Sequence, residues 1–200
     1  LMEGIPWDFE TFPEYLASVE KRGTVLNYSA YVGHTALRLF HMGNDAYERE
    51  ATDAEVAAMC ASVREAMEAG AVGLATSFAP THVGVGVKPI CSRVGDFSEF
   101  EAMAGELKKL GRGVIEATLG TGFAFDTVYD FQRRIGVPLT YTALLAIPGL
   151  WQHGAEVHRQ QMAKGDTGVW PQISVRAVTL QQQLKSPFAF DQADCFSSLY

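Results

Sequence analysis

Apolar residues along this chain alternate between helical spacing and short near-continuous runs. Phe12, Tyr15, Leu16 and Val19 share one helical face and Pro13 suits a first turn, so the pattern predicts a helix over 7–22. Residues 24–32 are rich in β-formers and closed by Gly33, which predicts a strand. A short helix follows over 34–42, stopped by Gly43-Asn44. The clearest helix starts at Thr52, where Thr52-Asp53-Ala54-Glu55 forms a capping box. Val56, Met59, Cys60, Val63 and Met67 make its apolar stripe, and Gly70 ends it. The apolar run 71–76 suits a strand buried on both faces.

A long Gly- and Pro-containing loop then covers 77–96. A second capping box, Ser98-Glu99-Phe100-Glu101, predicts a helix to about Leu110. Strands are predicted over 113–118, 139–144 and 169–175, with helices over 125–135 and 150–164 between them. That gives about five strands, each reached through a helix, the pattern of a parallel α/β sheet. A barrel and a doubly wound sheet share this pattern. No Gly-rich phosphate fingerprint follows the first strand, which weighs against dinucleotide binding. With no internal repeat and no low-complexity linker, residues 1–200 read as one domain.

The chain has 200 residues, 48% of them hydrophobic, and can bury a real core. A complete eight-stranded barrel takes roughly 250 residues, so the expectation is an incomplete one. The start at Leu1-Met2-Glu3 has no signal-peptide pattern and reads as the middle of a loop. A net charge of −7 without Lys/Arg clusters argues against a nucleic-acid surface. No apolar run reaches the ~20 residues that span a bilayer. Cys60, Cys91 and Cys195 are odd in number and form no CxxC pair, so reduced thiols of a cytoplasmic protein are expected. The oligomeric state is not legible.

Three stretches carry a family likeness. Asn27-Tyr28-Ser29-Ala30-Tyr31-Val32-Gly33-His34-Thr35-Ala36-Leu37-Arg38 is followed by Met42-Gly43. Ala51-Thr52 and Glu55 precede Glu65-Ala66-Met67-Glu68-Ala69-Gly70-Ala71-Val72-Gly73-Leu74-Ala75-Thr76-Ser77. The entry Trp7-Asp8-Phe9-Glu10-Thr11-Phe12-Pro13 is a weaker match. Together they resemble the N-acyl-D-amino-acid deacylases of the amidohydrolase superfamily, over about the first half of the chain.

The resemblance implies an internal stretch of a TIM-like (β/α) barrel, with a small β-domain built from the ends of the whole protein. It implies a hydrolase of non-peptide C–N bonds acting on a small N-acyl amino acid, with a divalent metal, zinc, activating water. The family's His-x-His and catalytic Asp would fall before and after this chain. Its two middle-strand zinc histidines should fall near 116–119 and 141–142, where this chain has Glu116-Ala117-Thr118-Leu119 and Tyr141-Thr142. The other reading is therefore a catalytically inactive barrel homologue that binds a small carboxylate without metal.

Candidate site residues follow from strand ends, where barrel enzymes display their chemistry. His34 follows the first strand, as a catalytic group at the mouth or as a histidine bonding locally. Glu116 interrupts an apolar strand. A buried carboxylate needs a partner, so it is either a metal ligand or general base, or half of an ion pair with an Arg. Arg176 could clamp a substrate carboxylate or pair with Glu116. Gln172 and Ser174, two apart, would share a strand face and line the same mouth. His82 lies in the long loop near Lys88, Ser92 and Arg93, as a substrate-binding group or a solvated histidine. His34 and His41 would share a helix face with no third ligand, and His153 and His158 carry no assigned role.

Overall fold

The computed structural model describes residues 7–84, 88–146, 151–177, 179 and 181. Five strands form one parallel sheet: β1 (Tyr31–Gly33), β2 (Gly73–Ser77), β3 (Val114–Thr118), β4 (Leu139–Thr142) and β5 (Val169–Pro171). Helices are interleaved: α1 (Phe12–Arg22), α2 (His34–Met42), α3 (Asp53–Glu68), α4 (Phe97–Leu110), α5 (Val128–Ile135) and α6 (Trp151–Ala163).

The strands lie in the order β1-β2-β3-β4-β5. This resolves what periodicity leaves open. A doubly wound sheet reverses direction at a switch point. A sheet that adds each new strand beside the last is wound as barrels are.

Strand residues alternate between two faces. Val32, Leu74, Ile115, Ala117, Leu139, Tyr141 and Val169 point to the helices and are buried. There they meet Met59, Val63 and Met67 of α3 and Phe100, Met103 and Leu107 of α4. Phe78, Phe97, Phe100, Phe123 and Phe131 form a cluster with ring centroids 5.1–6.1 Å apart. The other face carries Tyr31, Gly33, Ala75, Glu116, Thr118, Thr140, Thr142 and Trp170, half-buried or exposed, together with the buried Gly73 and Ser77. Gly73 sits where β2 and β3 approach closely: a Cβ there would collide with the Val114 carbonyl.

Local chemistry moved several boundaries. The predicted strand over 24–32 is paired only at Tyr31–Gly33, because Val25 and Leu26 find no neighbouring strand and stay exposed. The first helix starts at Phe12, not residue 7, since Thr11 and Glu14 form a capping box there. The Thr52–Glu55 box is present as predicted. The box predicted at Ser98 is not: Asp96 is the N-cap and accepts from the Ser98 amide at 2.8 Å. The last strand stops at Pro171, and Ile173 and Val175 are exposed.

Candidate active site

The parallel register brings side chains from four strands into two rows on the open face. The row at the strands' C-terminal ends is Ser77, Thr118, Thr142 and, just past β5, Gln172. The row beneath it is Gly33, Ala75, Glu116, Thr140 and Trp170. Glu116 is the one carboxylate on these rows. Its partner is not an arginine: the Thr142 hydroxyl donates to Oε1 at 2.7 Å. Thr142 Oγ1 also lies 3.2 Å from the amide oxygen of Gln172. One hydroxyl proton cannot serve both oxygens. The charged acceptor takes it, and the Gln172 amide, turned over, donates to Thr142. Glu116 Oε2 makes no hydrogen bond among the described residues. Tyr31, two residues before Gly33 in β1, lies on the same open face, and burial, with the Glu116 carboxylate second, pushes its phenol above its ordinary pKa.

His34 is not at the mouth. It opens α2, and its ring turns back behind the sheet, where it is 1% exposed. Its Nδ1 lies 2.9 Å from Thr76 Oγ1, and its Nε2 lies 2.6 Å from Glu99 Oε1. The ring stacks on Phe100. Burial holds His34 below its usual pKa despite the opposing pull of Glu99, so the neutral ring is favoured. Neutral His34 then donates from Nε2 to Glu99 and accepts the Thr76 hydroxyl proton at Nδ1. Glu99 also receives Arg38 NH1 at 2.5 Å. Burial pushes the Glu99 carboxyl up, but the bonds from His34 and Arg38 together outweigh it and lower it. Arg38 NH2 continues to the carbonyls of Ala46 and Arg49 at 3.2 and 2.7 Å. This cluster ties β2, α2 and α4 together, and His34 has no free nitrogen for chemistry.

The remaining candidates separate. Arg176 and Ser174 lie beyond the last strand, both exposed, and the Ser174 hydroxyl donates to the Arg176 carbonyl at 2.5 Å. Arg176 makes no ion pair among the described residues, so it does not partner Glu116. The reason is the early end of β5: with no strand past Pro171, alternation no longer aims Ser174 and Arg176 at the mouth. Gln172 does reach it. His82 is exposed, but its Nδ1 lies 2.7 Å from Ser77 Oγ at the end of β2. His41 bonds Ser62, His153 bonds Asp126, and His158 bonds Tyr129; none of the three bonds a residue of these rows. Cys60 and Cys91 are free and buried, while Cys195 lies outside the described residues.

The donor set does not suit zinc. Such a site takes three or four His, Cys or carboxylate ligands. Among the described residues no group of three or more such side chains could hold a metal ion, and the neighbours of Glu116 are hydroxyls and an amide. Nor is any helix among the described residues long and apolar enough to cross a membrane.

Sequence reasoning missed Ser77, Thr118, Thr142 and Glu99. A register argument from Glu116 would have reached Thr142, two residues beyond its neighbour Thr140 on the same face.

No family model matches the chain. A D-aminoacylase of Alcaligenes xylosoxydans xylosoxydans is 40% identical over 76 residues, 38% of this chain and 15% of the relative. An N-acyl-D-aspartate deacylase of the same organism is 40% identical over 95 residues, 44% of this chain and 19% of the relative. The fold is also that of N-acyl-D-glutamate deacylase from Bordetella bronchiseptica, crystallised with zinc and a phosphonate mimic of the tetrahedral intermediate. That likeness has a TM-score of 0.59 at 23% identity and covers 82% of this chain and 33% of that one. The chain thus matches under a fifth of the length of these curated relatives. Over that part it is similar to the N-acyl-D-amino-acid deacylases, as the sequence motifs suggest, and its sheet is part of the same kind of barrel.

Proposed function

We propose, from this kinship over part of the chain, that the protein carrying it hydrolyses the amide C–N bond of N-acyl-D-amino acids. The open face at the C-terminal ends of β2, β3 and β4 forms part of the site. The observation that carries this reading is the position of Glu116. It is a carboxylate on the side where barrel enzymes act, oriented through Oε1 by Thr142, with Oε2 left to accept a proton.

In this reading Glu116 takes the proton of the water that attacks the acyl carbon. Thr142 and Gln172 fix its carboxylate plane, and Tyr31 and Trp170 supply flanking surface for the substrate. The crystallised relative holds zinc. Here a divalent metal would need most of its protein ligands from outside the described residues, and no step is assigned to it.

The same misfit favours a second reading, a barrel that binds a small N-acyl amino acid without cleaving it. One experiment separates them. The full-length protein is incubated with a panel of N-acyl-D- and N-acyl-L-amino acids, with and without added zinc, and free amino acid is measured. Selective release from D-substrates supports the hydrolase. Saturable binding by calorimetry without any release supports the binding protein.

A further inference from the structure

We propose that Arg93 recognises the carboxylate of the N-acyl amino acid, with the Nε–NH2 edge of its guanidinium as the clamp. The assignment rests on the proposed function for the class of ligand but not for its cleavage, since the hydrolase and the binding protein both take a small carboxylate. Enclosing such an anion requires a charge-assisted partner. The rows on the open face carry one charge, the negative Glu116, among hydroxyls, an amide and an indole. A carboxylate placed there is repelled unless a cation stands near it. In the loops that leave β2, β3, β4 and β5, the Lys and Arg residues among those described are Lys88, Arg93 and Arg176. Lys88 is paired with Glu48. Arg176 is exposed, and no side-chain hydrogen bond orients it among the described residues. Arg93 is half-buried and held in place.

The backbone that carries Arg93 is fixed to the C-terminal end of β2. Arg93 closes a 3-10 turn over Cys91–Arg93, in which its amide donates to the Ile90 carbonyl at 2.9 Å and the Val94 amide to the Cys91 carbonyl at 3.0 Å. Cys91 is fully buried against Met42 and Ala46. The Ser92 hydroxyl donates to the Ser77 carbonyl at 2.9 Å, which ties the turn to the last residue of β2. The outgoing and returning arms of the loop pair with each other: Val83 bridges Pro89, and the Gly84 amide donates to the Lys88 carbonyl at 2.7 Å. The guanidinium crosses between these arms. Its NH1 donates to the Pro80 carbonyl at 3.2 Å and lies 3.5 Å from the His82 carbonyl. The ring of the same His82 lies 2.7 Å from Ser77 Oγ, so one residue joins Arg93 to the open face.

Bracing the loop accounts for NH1 alone. Nε and NH2 have no acceptor among the described residues, and Arg93 makes no ion pair among them. Those two nitrogens form the side of the fork that binds a carboxylate through two parallel bonds. With NH1 anchored, little side-chain freedom is left to lose on binding. Ser77 stands one strand away from Thr118 and Glu116, so a ligand bridging from Arg93 to the rows has its carboxylate toward β2 and its amide toward Glu116. The separation keeps the anion of the ligand away from the anion of the protein.

The test compares N-acetyl-D-amino acids with their carboxamides, which differ only in the group Arg93 is assigned to hold. Full-length wild type, Arg93→Gln and Arg93→Lys are measured for Kd by calorimetry and for kcat/KM of acetate release, after circular dichroism shows that each is folded. Wild type should favour the acid over the carboxamide by roughly 10–100-fold, the worth of a charge-assisted contact. Arg93→Gln, whose amide can still donate to the Pro80 carbonyl, should bring that ratio close to one, and Arg93→Lys should leave an intermediate ratio. A merely structural role would weaken acid and carboxamide alike and leave the ratio as it is. An unchanged ratio in folded Arg93→Gln, or in Arg93→Lys together with no preference for the acid in wild type, overturns the proposal. Cleavage of the acids with an unchanged ratio removes Arg93 and leaves the proposed function. A ratio that collapses in binding, with no acetate released by any protein, keeps Arg93 and removes the hydrolase. Binding of neither ligand overturns both.

Discussion

Replacing Glu99 by Gln tests the buried cluster behind the sheet. Arg38 is 0% exposed and Glu99 3%, and the two meet at 2.5 Å. Gln keeps the shape and one acceptor but removes the charge that balances the guanidinium. Its amide nitrogen must face either Arg38 NH1 or His34 Nε2, both donors in the native arrangement. His34 can relieve that clash by moving its proton to Nδ1 and donating to Thr76, so Arg38 keeps an oxygen partner. What remains is an uncompensated buried charge, which costs about 3–5 kcal/mol. The tautomer shift puts Glu99→Gln near the lower end and Glu99→Leu near the upper.

The assay is equilibrium urea unfolding of the full-length protein. With a slope of about 2 kcal/mol/M, a loss of about 3 kcal/mol moves the midpoint down by roughly 1.5 M. Arg38→Met with Glu99→Leu removes both charges, so it should be less destabilised than the sum of the singles. Some cost stays, because Arg38 also serves the Ala46 and Arg49 carbonyls. A Glu99→Gln loss below about 1 kcal/mol, or strictly additive singles, would mean that Glu99 does not balance the buried Arg38 charge.

Two further outcomes concern stability. His34 and Glu99 both have lowered pKa values in the folded protein, so on acidification the unfolded chain binds protons that the folded chain does not. Stability from His34 is therefore present above about pH 6.5 and is lost as pH falls below it, with Glu99 adding to the loss through the ordinary carboxylate range. Melting temperatures across pH 5–8 should show the decline, and His34→Gln should flatten it between pH 5 and 6.5. An equal slope in the variant would count against the assignment. Phe100 is fully buried among Phe78, Phe97, Phe123 and Phe131, so Phe100→Ala should cost about 3–5 kcal/mol in urea unfolding. A loss under 1 kcal/mol would mean the aromatic cluster carries little of the core.

The alternation of helices and strands was legible because each element carries its own period and caps, as at Thr52 and the apolar run before Ser77. Strand order was not, because it depends on pairing between distant segments. The same limit explains the site. Glu116 stood out as a charge in an apolar strand, and Gln172 followed from strand spacing. His34 was placed correctly after β1, but which way its ring turns depends on Thr76 and Glu99, 42 and 65 residues away. Arg176 and Ser174 were assigned by extending β5 past Pro171, where no strand exists. His82 was singled out alone, because Ser77 reads as a loop residue until the register of β2 and β3 is known.

In the proposed function the C-terminal ends of these strands form part of an amide-hydrolysing site, with Glu116 carrying a proton. The most direct measurement is kcat for release of D-amino acid from an N-acetyl-D-amino acid by full-length wild type and Glu116→Gln, with Thr142 left to bond either side chain. Turnover in wild type and a fall in kcat of roughly 10²–10⁴-fold in the variant are expected, the usual effect of losing a general base. Turnover that is unchanged in folded Glu116→Gln would contradict that role.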